Sequence, residues 1–394
     1  MDFDNEDTVD DSTYINDIRD SRDLRDVSFS NHRKRDVKNI LLDNMLNYKI
    51  EPAFYWCAEL LCAGHFMDIW EIILYFFGKH IHLGNPKIVV YLDNRFQVFR
   101  NIISQSTYLT DLQIRNNRKI RRLFMEMICI LTYSPRKHTI ELTKIDRKEE
   151  FEITQMTERL KAPSIQFAKV LYDKDDPKEL FIAMNEFSYN ISKKGSQNLN
   201  RACYWIEWII EFDAICKRKK QVCKCHKRDF IPYTVDLKYT RDIVWMIWYS
   251  ILFYADADNH GKYITTLLRS ILNLFSIKYS TGSTKKRRYL LYYAVSLLMD
   301  TVPNHIEIIS HEHKAILASA LSQIDMIYLQ IKQNEQTPQT DYLFHNMGGG
   351  DGGGGSIPKS GAGTVPSTKN LPYNVPPPPR LIPGSANVAN VFDD

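Results

Sequence analysis

Residues 52–86 read PAFYWCAELLCAGHFMDIWEIILYFFGKHIHLGNP, and this stretch decides the fold. From Ala53 to Ala63 the only charged residue is Glu59. A segment this apolar has to be covered on almost every side, so it predicts a central buried helix rather than an amphipathic surface helix. Gly64 is expected to end that helix, because glycine readily adopts the left-handed conformation found at helix C-termini.

A second apolar helix follows directly, from about Ile69 toward His82. Asp68 stands where an N-cap belongs, and Glu71 lies three positions later, which is the spacing of a capping box. Gly84, with a proline two residues later, is expected to close this helix. Similar helical patterns recur along the chain, so we predict an all-α protein.

The second half of the chain repeats features of the first half in the same order. The aligned residues are Ala53, Tyr55, Trp56 and Asp68 in the first half and Ala202, Tyr204, Trp205 and Asp242 in the second. This order predicts a tandem duplication of one helical bundle. Chance similarity between two aromatic-rich helical stretches is the alternative.

Composition sets the expected domain boundaries. The two related helical units span 38–160 and 178–334, with a linker at 161–177. Residues 1–37 are rich in Asp, Arg and Ser and predict a disordered acidic leader. Residues 335–394 hold ten of the sixteen glycines and nine of the sixteen prolines, which predicts a disordered tail.

The net charge of +4 is unevenly distributed. Residues 1–35 carry a net charge of −4 and residues 335–394 carry −2, which leaves +10 for residues 36–334. A basic body of this kind suits a polyanionic partner such as DNA.

Two basic segments are the predicted nucleic-acid contacts. Phosphate groups are bound by clustered Lys and Arg side chains without sequence specificity. The first segment, just before a buried helix at 123–133, contributes Arg118, Lys119, Arg121 and Arg122. The second segment lies in a predicted basic Cys/His loop at 216–241 and contributes Lys217, Arg218, Lys219, Lys220, Lys224, Lys227 and Arg228. A solvated basic face and a nuclear-import signal are the alternatives.

Cys216, Cys223, Cys225 and His226 form the one metal-like pattern in the sequence. Thiolates and imidazole are the ligands that zinc prefers. The spacing is not that of a standard zinc motif, because adjacent ligands such as Cys225 and His226 rarely converge on one ion. Zinc is therefore one interpretation, and a basic loop that happens to contain thiols is the other. No other cofactor is expected.

The opening stretch also carries a resemblance. Residues 53–64, the run Ile81–Pro86 and residues 129–137 (CILTYSPRK) resemble the helical collar domain of AAA+ ATPases of the MgsA/WRN-interacting-protein type. His80 replaces an acidic residue of that family, and the ATPase module is absent. The whole chain is also similar to a conserved helical protein family of nucleocytoplasmic large DNA viruses, a resemblance that implies no reaction.

These features favour a non-enzymatic function. No phosphate-binding loop, dinucleotide fingerprint or hydrolase motif is present in the sequence. We expect an oligomerising scaffold in viral DNA replication or repair, with oligomer formation implied by the collar resemblance. The alternative is a virion or assembly protein whose tail tethers a partner among the viral proteins.

The sequence favours a location away from membranes. The N-terminus is acidic and has no apolar run, so we expect no signal peptide. The longest uncharged apolar run, 243–255, is too short to span a bilayer. Together with the viral resemblance, this predicts the host cytoplasm at virus factories, or the nucleus, with the virion as a further alternative.

Overall fold

The computed structural model describes residues 11–105, 110–221 and 223–337. Throughout these ranges the regular structure is helical and no β-strand forms, which confirms the all-α prediction. Within the same ranges, Val27 and Arg33 form an isolated antiparallel β-bridge. The predicted tail lies outside the described residues from position 338 onward.

The first group of helices is built around α2. Its members are α1 (Lys34–Leu46), α2 (Ile50–Cys62), α3 (Phe66–Phe76), α4 (Ile88–Gln105), α5 (Asp111–Arg115) and α6 (Arg118–Tyr133). Every residue of α2 from Ala53 to Cys62 is buried, including Glu59. The neighbouring helices α1, α3 and α6 all pack against α2, so the prediction of a central buried helix is confirmed.

Helix α2 ends two residues before Gly64, as the prediction of a glycine stop implies. Gly64 has a φ of +78°, the left-handed conformation. The prediction that Asp68 caps the next helix is wrong, because α3 already begins at Phe66. The backbone N–H of Gly64 donates to the Leu61 carbonyl and that of His65 donates to the Leu60 carbonyl. These bonds close the turn before Phe66, two residues ahead of Asp68. The side chain of Asp68 pairs instead with a lysine of α1.

The end of α3 is irregular. It continues into a π-helical turn at Phe77–Ile81 and a 3-10 turn at His82–Gly84. His82 has a φ of +47° and is 3% exposed. A Cβ on Gly84 would lie 2.5 Å from the Pro135 carbonyl oxygen, so the chain after α6 can pass this turn only beside a glycine.

The second group of helices follows a short connecting region. Its members are α7 (Ile153–Arg159), α8 (Gln166–Lys169), α9 (Phe181–Ile191), α10 (Leu199–Arg218), α11 (Val244–Ala257), α12 (Gly261–Phe275), α13 (Ser283–Lys286), α14 (Arg288–Met299), α15 (His311–Ser322) and α16 (Ile324–Lys332). The four tryptophans of α10 and α11 are buried core residues.

The prediction of a disordered leader over residues 1–37 is wrong for residues 11–37. Ile15, Leu24 and Phe29 are fully buried, and α1 begins at Lys34. Glu59 holds this segment, because its carboxylate accepts bonds from both hydroxyls and one backbone N–H of two serines at 28 and 30. A few well-placed apolar anchors and paired charges order a segment whose average composition is polar. Residues 1–10 lie outside the described residues.

The two ends of the described chain meet. The backbone N–H of Ile18 donates to the Gln336 carbonyl at 2.9 Å, and the N–H of Gln336 donates to Asp17 at 2.9 Å. Asn16 donates through its backbone to Glu335. The N-terminal segment and the residues after α16 therefore close the fold together, so the predicted tail does not begin at 335.

The two groups of helices share part of their pattern of helix-to-helix contacts. α1 packs on α2 as α9 packs on α10, and α2 packs on α6 as α10 packs on α14. The Tyr55–Trp56 and Tyr204–Trp205 rings both meet edge to face at 5.2 Å. Corresponding contacts in the two groups do not by themselves establish a duplication, which remains a prediction.

The predicted domain boundaries cut across contacts. Helices α15 and α16, which belong to the predicted second unit, pack on α6 and α2 of the first. The predicted linker 161–177 contains α8, which packs on α9. Helices α4 and α12 also pack against each other, so the two groups share one continuous core.

Candidate nucleic-acid interface

The predicted basic segment at the start of α6 is only partly on the surface. Arg121 is 3% exposed, and its guanidinium donates to the carbonyl oxygens of Arg115 at 2.9 Å and Thr13 at 3.1 Å. It also donates to the Asn116 side chain at 2.8 Å and lies 4.0 Å above the Tyr328 ring. The prediction that Arg121 contacts nucleic acid is therefore wrong, because its donors are committed to the protein interior.

The other three residues of that segment are exposed. Arg118, Lys119 and Arg122 all lie on the outer side of α6. The guanidinium of Arg118 is 3.2 Å from the Asp325 carboxylate, so one of the three charges is partly neutralised. The remaining two charges, those of Lys119 and Arg122, make a small surface, and this segment is the weaker of the two candidates.

The second basic run begins on a helix rather than in a loop. Helix α10 extends through Arg218, so Lys217 and Arg218 belong to its last turn. Cations there interact favourably with the negative end of the helix dipole. Lys219 and Lys220 follow directly and are exposed. The first two residues of the basic run are therefore held in place by the last turn of α10.

The later residues of the run differ in exposure. Arg228 is 9% exposed and forms a short ion pair with the fully buried carboxylate of Asp176. Its predicted contact with nucleic acid is wrong for the same reason as for Arg121. Lys224 pairs with the buried Asp242 at 2.6 Å. Lys227 is exposed and remains a candidate contact.

The predicted zinc ligands do not come together in the described part of the chain. The side chains of Cys216 and Cys223 are free thiols that share a hydrogen bond, whereas the Cys225 thiol donates to the Asp242 carbonyl at 3.3 Å. The imidazole of His226 lies beside two aspartates, and no thiol joins this group within ligand distance among the described residues. Burial raises the pKa of Cys223 and that of Cys225 to about 12, so both thiols are protonated at neutral pH.

Asp173, Asp175 and His226 are the ligand-type side chains that the described ranges do bring within 4.8 Å of one another. The Nδ1 atom of His226 lies 3.4 Å from Asp173 and 3.6 Å from Asp175. All three are at least partly exposed. An imidazole paired with surface carboxylates is an ordinary ion cluster, and we assign no metal to it.

Glu211 gathers three cations at the end of α10. Arg147 donates to Glu211 Oε1 through a short bond from its Nε atom. The guanidinium of Arg218 lies 3.6 Å from the same oxygen, and the Lys285 ammonium lies 3.8 Å from Oε2. Lys217 forms a short ion pair one turn away, with Asp213.

These groups form one basic surface. We call Arg147, Lys217, Arg218, Lys219, Lys220 and Lys285 the α10 basic surface. Its six cations face two carboxylates, those of Glu211 and Asp213. The excess of positive charge is therefore four. Four of the six cations are consecutive at the end of α10, at 217–220, and the other two come from distant segments of the chain.

Sequence reasoning identified only part of this surface. Arg147 lies in the region after α6 and Lys285 lies in α13, more than sixty residues from Glu211 in either direction. Lys285 opens a run of four basic residues at 285–288 and Arg147 is followed by Lys148, but nothing in the local sequence connects either residue with α10. The available signal was the pair of acidic residues, Glu211 and Asp213, that precedes the basic end of α10.

An exposed aromatic side chain lies elsewhere on the second group. Tyr233 is 88% exposed, and its hydroxyl accepts a bond from Arg100 at 3.2 Å. Tyr239 is less available, because its ring packs edge to face on Tyr279. Tyr233 is thus the side chain of this loop that could stack on a base.

Among the described helices, none combines the length and the apolar character needed to cross a membrane. No family model matches this chain, and neither curated proteins nor solved structures gave a match to it.

Proposed function

We propose that this protein is a non-enzymatic helical scaffold that contacts the phosphate backbone of nucleic acid through the α10 basic surface. The observation that carries the proposal is the convergence of Arg147, Arg218 and Lys285 on Glu211. Three chain segments place positive charge at one point, next to the exposed Lys219 and Lys220.

Phosphate is the chemistry that fits this surface. Arginine side chains bind phosphate oxygens through two donors, and lysine side chains add positive charge. Contacts of this kind give affinity and register without reading the base sequence. The surface is therefore expected to bind single or double strands with little sequence preference.

The biological setting is part of the same proposal. The resemblance of residues 53–86 to collar domains and the similarity to a viral family support an oligomerising scaffold in viral DNA replication or repair. In that setting the DNA-contacting surface would be repeated around an assembly, which raises the effective concentration of each site.

The direct test is a quadruple charge reversal. We expect Lys217→Glu, Arg218→Glu, Lys219→Glu and Lys220→Glu together to weaken DNA binding by roughly 100-fold at about 0.1 M salt. The slope of log K against log salt should become less steep by up to about 3.6, since each of the four lost phosphate contacts contributes about 0.9. Fluorescence anisotropy with a labelled oligonucleotide measures both quantities.

A matched control carries the same change of net charge on separated sites. It replaces Lys169, Lys262, Arg269 and Lys314 with Glu, four exposed residues on three different helices. We expect this variant to lose much less affinity than the α10 variant. If the α10 variant binds as tightly as the parent, the α10 basic surface is ruled out as the nucleic-acid site; if the parent itself does not bind DNA, the assembly-protein alternative takes its place.

A further inference from the structure

Glu211 lies where three cations of the α10 basic surface meet. Its two carboxylate oxygens are approached by a guanidinium Nε, a second guanidinium and an ammonium group, from Arg147, Arg218 and Lys285. The Glu211 side chain is 15% exposed, whereas the three cations are 43%, 56% and 34% exposed. The cations therefore surround a recessed anion and keep their outer sides in solvent.

One carboxylate cannot neutralise this arrangement. Three unit charges face one, so the cluster keeps a net charge of two while every cation is directed toward the protein. Exposed ion pairs of this type are weak, about 0–1 kcal/mol each. An incoming phosphate diester carries the same charge as the carboxylate and reaches the cations from their solvent side.

We infer that Glu211 is an internal competitor for nucleic-acid phosphate. In the free protein it holds Arg147, Arg218 and Lys285 together, and on binding it shares or yields these cations to a phosphate. Glu211 thus lowers the affinity of this surface for nucleic acid. The inference rests on the proposed function, because it concerns the same surface.

The experiment is the variant Glu211→Gln in the full chain. Glutamine keeps the size of the side chain and removes its charge, which leaves three cations free for phosphate. With a labelled 20-nucleotide DNA, we expect roughly threefold to tenfold tighter binding, and a slope of log K against log salt that is steeper by about one. Glu312→Gln, on the exposed face of α15, makes the same charge change at a distance and should alter affinity by less than half as much.

The opposite result has a definite meaning. If Glu211→Gln binds DNA equally or more weakly, Glu211 only orients the cations and the inference is overturned. The proposed function would still stand if the quadruple variant described above loses binding. If neither wild type nor Glu211→Gln binds the oligonucleotide, both fail.

A measurement on the wild-type protein covers the case in which the variant does not fold. The Nε–H resonance of Arg147, assigned with Arg147→Lys, reports the bond to Glu211. Addition of DNA is expected to shift this resonance, because the donor moves toward a phosphate. An unshifted resonance at saturating DNA would overturn the inference.

Discussion

Replacing Arg121 with glutamine is expected to destabilise the fold by about 3–5 kcal/mol without acting at the nucleic-acid surface. The guanidinium bonds to the carbonyls of Arg115 and Thr13 and to Asn116. A shorter, neutral side chain leaves these buried acceptors without donors and removes the contact with the Tyr328 ring. Urea unfolding followed by circular dichroism measures the loss.

Arg122 is the matched control for this prediction. It is the next residue of α6 and is exposed, so Arg122→Gln should change the free energy of unfolding by less than about 0.5 kcal/mol. Comparable stability of the Arg121 and Arg122 variants would show that the interior network around Arg121 has been misassigned.

Acid is expected to destabilise the protein through two buried histidines in the turn after α3. Burial lowers the pKa of His80 to about 3, with further lowering by Lys79, His138 and Arg136. Burial also lowers the pKa of His82 to about 3, with a smaller effect of Lys137. Between pH 6.5 and pH 3 the unfolded chain binds these protons and the folded protein does not. Stability therefore rises with pH in this window, by at most about 1.4 kcal/mol per pH unit for each histidine.

The variant His82→Asn isolates one of these contributions. Asparagine does not titrate and tolerates the positive φ of this position. Unfolding free energies measured at pH 7, 6, 5 and 4 should depend on pH less steeply than in wild type, by up to about 1.4 kcal/mol per unit. His311→Asn makes the same substitution at an exposed position and serves as the control. A wild-type slope in the His82 variant would contradict this assignment.

The sequence was sufficient to predict the helical class and the central helix. Between Ala53 and Ala63 a single charged residue interrupts an apolar run, and such a run is stable in water only when it is covered on all sides. Gly64 could be predicted as an end point for a local reason, because few other residues adopt its backbone conformation without strain.

The ordered N-terminal segment could not be predicted from composition. Ile15, Leu24 and Phe29 are widely spaced among polar residues, and what orders them is a set of partners far along the chain, such as Glu59 and Gln336. Average hydrophobicity contains no information about partners of this kind.

Charged residues were the least predictable part of the candidate site. Arg121 and Arg122 are neighbours in one basic run, yet one is buried and the other exposed. Their difference follows from the N-terminal segment, which supplies the Thr13 carbonyl to Arg121. Glu211 shows the converse, because it joins Arg147 and Lys285, which no local pattern connects.

Photochemical crosslinking tests the nucleic-acid surface most directly. DNA containing 4-thiothymidine would be irradiated with the full chain, and the crosslinked peptides would be identified by mass spectrometry. We predict crosslinks within 144–148, 217–221 and 285–288, the three segments that meet at Glu211. Crosslinks confined to other segments, or none at low salt, would contradict the account.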